Sequence, residues 1–329
     1  MADKTTPRIL VTGAVGQIGS ELTLALRRRY GAERVVAAGH NTPPGAALAE
    51  SGPFEFLDVT RIETVANVVE KYRIDTIYHM AAVLSAVGES RPNAAWHVNV
   101  NGLRNILDIA RDYRLSRVFC PSSIAVFGPS APREATPQDT VLRPTTMYGI
   151  TKVTGELLCE YYGRRYGVDV RGVRYPGIIS SETLPGGGTT DYAVAIYYEA
   201  IAHGHYTCFV RADTVLPMMY MPDCIKAAIM LMEADRSRLC RYADYNVAAL
   251  SFSAKELADE IARHLPGFTC TYAPDARQAI ADSWPRSLDD CAARAEWGWA
   301  PDYDLETMTT EMLATLRARH DRGALYPKR

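Results

Sequence analysis

Short apolar runs alternate with amphipathic stretches through the first half of the chain. Runs near 8–12, 34–38, 54–58, 75–80 and 117–122 predict strands, and another is expected at 169–175. Apolar residues at helical spacing near 17–29, 61–72, 92–113 and 146–166 predict the helices between them. Strands alternating with helices imply right-handed crossovers and an α/β fold with a doubly wound parallel sheet. Such sheets bind ligands beyond the carboxyl ends of their strands. Four segments follow strand ends and should gather along one edge: the turn at Gly13, His79-Met80-Ala81-Ala82, Ser122-Ser123 and Tyr175-Pro176-Gly177.

The first turn has a particular composition. Arg8-Ile9-Leu10-Val11-Thr12 reads as a buried strand and runs into Gly13-Ala14-Val15-Gly16-Gln17-Ile18-Gly19, which opens an amphipathic stretch to Arg29. Gly13 suits a tight turn, Gly16 the approach of a pyrophosphate to backbone, and Gly19 close packing of helix on strand. The helix N-terminus would then face the phosphates of a dinucleotide.

After Gly177 the texture changes. Leu184-Pro185-Gly186-Gly187-Gly188-Thr189-Thr190 is a glycine-rich loop. Helical stretches follow near 190–203, 222–234, 253–264 and 304–319, with strand-like pieces such as Tyr245-Asn246-Val247-Ala248 between them. The expected organisation is a Rossmann domain over 1–177 and a smaller lobe over 178–329, mainly substrate-binding, with segments that return to the main sheet.

Tyr148 and Lys152 are four residues apart in a predicted helix, so they share a face. A free phenol has a pKa of about 10, and a neighbouring cation lowers it. Ser123 lies upstream with Ser122 beside it, and its hydroxyl could hold a substrate oxygen against the phenol. This is equipment for moving a proton on or off an alcohol.

Bulk properties narrow the partners. The formal net charge of −2 gives no support to nucleic-acid binding. No apolar run approaches a membrane span, and Met1 to Pro7 has no signal-peptide core, so a cytoplasmic location is expected. The cysteines at 120, 159, 208, 224, 240, 270 and 291 form no C-x-x-C pair. Reduced thiols, and no metal site, are therefore expected.

Together these features resemble the extended short-chain dehydrogenase/reductase family. The carriers are the glycine turn, Asp58-Val59 after the third strand, His79 to Ala82 after the fourth, Pro121 to Gly128 with its serines, and Tyr148-x-x-x-Lys152. Within that family Arg174 to Ser180, Leu184 to Tyr192, Leu216 to Asp223 and Ser283 to Asp290 are similar to the short-chain type of L-threonine 3-dehydrogenase. The resemblance implies NAD-dependent oxidation of the 3-hydroxyl of L-threonine to 2-amino-3-oxobutanoate. It implies Tyr148 as general base, Lys152 as its partner and a holder of the nicotinamide ribose, and Ser123 as binder of the reacting oxygen. Gly13, Gly16, Gln17, Ile18, Gly19, His40, Asp58, Val59, Met80, Ala81, Ala82, Asn99, Ser122, Tyr175, Pro176 and Ile178 would face the cofactor, along with Tyr148 and Lys152. Ser85, Gly188, Thr189 and Trp284 would shape the amino-acid pocket with Ser123 and Tyr148. Gly186, Gly187 and Gly188 could bring backbone N–H groups near the carboxylate. Resemblance further suggests a homodimer built on the helices near 92–113 and 146–166.

The chain departs from the family at one point. An aspartate usually ends the second strand and grips the adenosine ribose. Val35-Val36-Ala37-Ala38-Gly39-His40-Asn41 has no carboxylate, and Arg34 precedes the strand. NAD is the expected cofactor, with NADP left open and His40 or Asn41 as alternative ribose partners. Two other functions stay open: a nucleotide-sugar epimerase or dehydratase of the same fold, and a non-catalytic cofactor-binding regulatory protein. Against the first, Tyr175-Pro176-Gly177 stands where those relatives carry an asparagine, and Leu216-Pro217 where they place an arginine.

Overall fold

A computed structural model describes residues 6–184, 186 and 188–326. Eight strands organise the first part: β1 Ile9–Thr12, β2 Val35–Gly39, β3 Phe54–Phe56, β4 Thr76–His79, β5 Arg117–Phe119, β6 Ser122–Ser123, β7 Val170–Arg171 and β8 Val173–Tyr175. Six of them form one sheet in the order β3-β2-β1-β4-β5-β7, with every pair parallel. The doubly wound sheet expected from the alternation is present.

Side chains alternate across this sheet. Ile9, Val11, Val35 and Ala37 face Leu22 and Leu26 of the helix Gln17–Tyr30. Leu10, Val36 and Ala38 face Val65, Val68 and Val69 of the helix Ile62–Tyr72. Leu22 and Leu26 are fully buried, and each such side chain stabilises the fold by ~1.5–3 kcal/mol.

Two expected strands prove to be broken. Pro121, which has no N–H to give a ladder, separates β5 from β6. Gly172 separates β7 from β8, and a Cβ there would lie 1.9 Å from the Cys120 carbonyl oxygen. Both chains thereby step off the main sheet together. β6 and β8 pair in parallel, Ser123 beside Tyr175, and β12 (Tyr245–Asn246) joins the other edge of β8.

The second part adds β9 (Gly177–Ile179), β10 (His205–Cys208), β11 (Val215–Tyr220), β13 (Leu250–Ser253) and β14 (Thr269–Tyr272). These make a β13-β11-β9 sheet and a β10-β14 pair, which the sequence pattern did not resolve. The core does not divide at 177. Ile124, Ala125 and Val126 pack with Ile179, Tyr192 and Met308, whereas Met219, Leu231 and Trp299 pack with Ile9 and Val11.

The expected helix over 92–113 is also interrupted. Pro92–Trp96 and Leu103–Asp112 are α-helical, with a π-helical turn at His97–Gly102 between them. This wide turn turns Asn99 inward, a common use of π geometry near functional sites.

Candidate active site

Thr146 caps the helix Met147–Tyr166, its Oγ1 accepting from Gly149 N at 3.1 Å. Tyr148 and Lys152 follow on one face, with Nζ 5.6 Å from the centre of the Tyr148 ring. Lys152 Nζ donates to the Pro121 carbonyl oxygen at 2.9 Å, which ties the helix to the β5–β6 step. Ser123 caps the short helix Ile124–Val126, and its Oγ accepts from Ala125 N at 3.2 Å. That bond uses the oxygen as acceptor and leaves the hydroxyl proton to donate.

One cleft collects most of the expected site. Ser123, Tyr148 and Lys152 line it together with Gly13, Gly16, Gln17, Ile18, Gly19, Met80, Ala82 and Ser122. Tyr175, Pro176 and Ile178 come from the β8–β9 segment, and Ser85, Gly188, Thr189 and Trp284 close the far side. The four strand-end segments therefore do meet on one edge.

Other expected residues are not in the cleft. Ala81 and Asn99 line a smaller cavity behind it. The Asn99 amide is fully engaged: Nδ2 donates to the Val83 carbonyl and Thr151 Oγ1, and Oδ1 accepts from Val83 N. It braces the segment after β4 against the helix Met147–Tyr166. His40, Asp58 and Val59 sit beyond the ends of β2 and β3. Asp58 accepts from Thr60 N and Thr60 Oγ1, and His40 Nε2 lies 3.6 Å from its other oxygen. Burial opposes ionisation of Asp58, but Thr60 and the facing His40 and His97 outweigh it and hold the carboxyl below its ordinary range. The following helix is capped at Arg61 without a side-chain bond, so Asp58 closes a turn and does not cap that helix.

Two further roles are sharpened. His79 Nδ1 lies 2.9 Å from Thr12 Oγ1. Burial, helped by the Lys152 charge, pushes its pKa down to about 3, so the ring is neutral and braces β1 against β4. Ser122 Oγ donates to Glu156, so its hydroxyl proton is already engaged. In the glycine loop, Gly188 N donates to Asp191 Oδ2 at 2.6 Å and is already satisfied. Gly187 lies outside the described residues.

The residues fit a dinucleotide. Gly13 has φ +65°, and a Cβ there would lie 2.6 Å from Ala81 N. A Cβ on Gly16 would meet only the Gly13 carbonyl oxygen, at 3.2 Å, so that side of the loop is open to a phosphate. Gln17 Nε2 is buried at the helix N-terminus without a partner. Thr189 Oγ1, deeper in the cleft, is likewise buried and unpartnered. Both are groups that a bound molecule would satisfy.

Sequence reasoning missed Leu84, Ile124, Thr190 and Asp191, which also line the cleft. Asp191 precedes the helix Tyr192–His203, and an acid between a glycine run and a helix start was the signal for it. Among the described residues no three His, Cys, Asp or Glu side chains converge as metal ligands, and all seven cysteines are free. No described helix is long and apolar enough to cross a membrane.

A Rossmann sheet carrying a glycine turn and a Ser–Tyr–Lys cleft defines a nicotinamide-dependent class. The profile of the "NAD dependent epimerase/dehydratase family" matches residues 9–248, and the chain belongs to that family. An uncharacterized epimerase/dehydratase of Staphylococcus haemolyticus is 50% identical over 95% of this chain and 98% of its own. Two solved structures narrow the likeness to threonine dehydrogenases. The holo form of a GalE-like L-threonine dehydrogenase from Cupriavidus necator is 51% identical, with a TM-score of 0.92, over 94% of this chain and 100% of the other. A monomeric L-threonine 3-dehydrogenase from a metagenome is 49% identical, with a TM-score of 0.91, over 94% and 99% of the two chains.

Proposed function

We propose that this protein oxidises the 3-hydroxyl of L-threonine to 2-amino-3-oxobutanoate with NAD. The carrying observation is that Ser123, Tyr148 and Lys152 share one cleft with the glycine turn and with the Thr189–Trp284 wall. Full-length likeness to threonine dehydrogenases supports the choice of substrate.

A bound NAD, held by the Gly13–Gly19 turn and Lys152, would supply the acceptor for a hydride from C3 of the substrate. Ser123 donates its hydroxyl proton to the reacting oxygen and holds it beside the Tyr148 phenol. Tyr148 takes the hydroxyl proton as the C–O bond becomes a carbonyl. Lys152, fixed on the Pro121 carbonyl, stabilises the phenolate and would hold the nicotinamide ribose. Thr189 satisfies its buried hydroxyl on the amino-acid end. Trp284 and Leu84 exclude water from the reacting centre.

Exposed Trp96, Ile150, Leu157 and Tyr161 on the two helices flanking the site support a homodimer, although one threonine dehydrogenase of this fold is monomeric. Sedimentation velocity decides that point. The function is tested by a screen of NAD and NADP reduction over L-threonine, L-allo-threonine, L-serine and phenylserine, with a UDP-sugar as the competing substrate. Turnover of the UDP-sugar, and of none of the amino acids, would replace this reading with the epimerase one.

A further inference from the structure

Glu156 stands one turn beyond Lys152 and two beyond Tyr148, so the three share a helix face. It is buried, and its carboxylate is fully engaged. Oε1 accepts from Ser122 Oγ at 2.5 Å and from Arg174 Nε at 2.9 Å, and Oε2 accepts from Arg174 Nη2 at 2.8 Å. Arg174, equally buried, also donates to the Gln138 carbonyl and to Asn246 Oδ1. One carboxylate thus joins three segments that carry the site: the catalytic helix, β6 next to Ser123, and β8 next to Tyr175.

A buried ion pair is a poor way to stabilise a fold, because desolvation offsets most of the attraction. The pair also accepts a third bond, from the neighbour of Ser123, which ties it to the β6 segment of the site. Lys152 and Glu156 also line the same cavity of about 30 Å³, together with Ser122 and Asn99. The groups facing Glu156 are Arg174 from β8, Lys152 and Cys159 from its own helix, Cys120 after β5, and Asp244 before β12, itself paired with Arg241.

We propose that Glu156 is a positioning residue for the oxidation proposed above, on which this inference rests. It holds Ser123 in place through Ser122 and cancels the charge of Arg174. Lys152 is then the cation that governs Tyr148.

The test compares wild type, Glu156→Gln, Ser122→Ala and the double variant by thermal melting, NADH binding and threonine kinetics across pH. Glu156→Gln should fold and bind NADH much as wild type does. Its kcat should fall by roughly tenfold or more, with little change in KM for threonine, as small misplacements of reacting groups do. The acid limb of kcat/KM should move to lower pH, because removing a negative charge favours deprotonation nearby. Ser122→Ala should show a smaller loss of kcat, and the double variant should be no worse than Glu156→Gln, since both break one chain of contacts. A folded Glu156→Gln with wild-type kcat and acid limb, or losses that simply add, would overturn the proposal. If Glu156→Gln does not fold, an unchanged kcat in Ser122→Ala overturns it. A wild-type protein that does not oxidise threonine removes the functional reading itself, and this inference with it.

Discussion

The Lys152 ammonium donates to the Pro121 carbonyl two residues before Ser123, at 2.9 Å. The cation is thus pinned between the helix that carries Tyr148 and the turn that carries Ser123. Pro121, which has no N–H to give a ladder, lies in the break between β5 and β6, and its carbonyl accepts from Lys152. Lys152 therefore has a structural partner in Pro121 and, in the proposed mechanism, a chemical one in Tyr148, and its loss should be felt in both.

In the proposed mechanism, Tyr148→Phe removes the proton acceptor alone. Turnover should fall by ~10²–10⁴-fold, the usual share of general-base catalysis, with melting temperature and NADH affinity close to wild type. Lys152→Ala should lower both kcat and NADH affinity. Steady-state kinetics and fluorescence titration check the contrast, and equal activity in wild type and Tyr148→Phe would remove the tyrosine-base mechanism.

Thr189 Oγ1 is buried and unpartnered within the cleft, so its hydroxyl costs stability in the free protein. Thr189→Ala should be at least as stable as wild type. It should raise KM for threonine by about tenfold or more while leaving KM for NAD alone, since a hydrogen bond to a charged group is worth ~1.5–3 kcal/mol. Unchanged threonine kinetics would place the amino-acid end elsewhere.

Cofactor choice turns on the end of β2. A Cβ on Gly39 would lie 3.1 Å from Phe54 Cζ and 3.2 Å from Val15 Cγ1, so both side chains must yield slightly. Gly39→Asp should then favour NAD over NADP by about tenfold or more in dissociation constant, because like charges a few ångströms apart near a surface repel by more than ~1 kcal/mol. An unchanged ratio of the two constants would mean that the ribose does not sit at this strand end.

Glu21 provides a pH test of stability. Its carboxyl accepts from Ser180 Oγ at 2.5 Å and joins the first helix to the segment leading into the glycine loop. Burial raises its pKa from 4.5 to about 7, against the bonds from Ser180 and Thr183. The folded state thus prefers the protonated form. That contribution is fully present below pH 4.5 and is lost as pH rises through about 7. Wild type should lose ~1–3 kcal/mol across this window, after allowance for partial exposure. Glu21→Gln should lack this loss, as urea unfolding at the two pH extremes would show.

The legible parts of the site were local in sequence. The glycine turn carried its strand and helix with it, and Tyr148 and Lys152 announced a shared face by spacing alone. Ser123 was findable because it follows a strand. Glu156 and Arg174 were not, since an acid and a base in two separate elements look like ordinary surface charges until β8 is laid beside the catalytic helix. The same holds for β9, β11 and β13: each is short, and their pairing joins segments more than thirty residues apart, so no local period marks it. The resemblance assigns Asn99 to the cofactor, whereas its bonds to Val83 come from a π-helical turn that leaves no trace in the apolar pattern.

The most direct measurement is the stoichiometry of L-threonine oxidation by the purified protein with NAD. The account predicts one NADH formed per aminoketone released, dependent on both L-threonine and dinucleotide and lost in Tyr148→Phe. No reduced dinucleotide from L-threonine with either NAD or NADP, or equal yield from Tyr148→Phe, would contradict it.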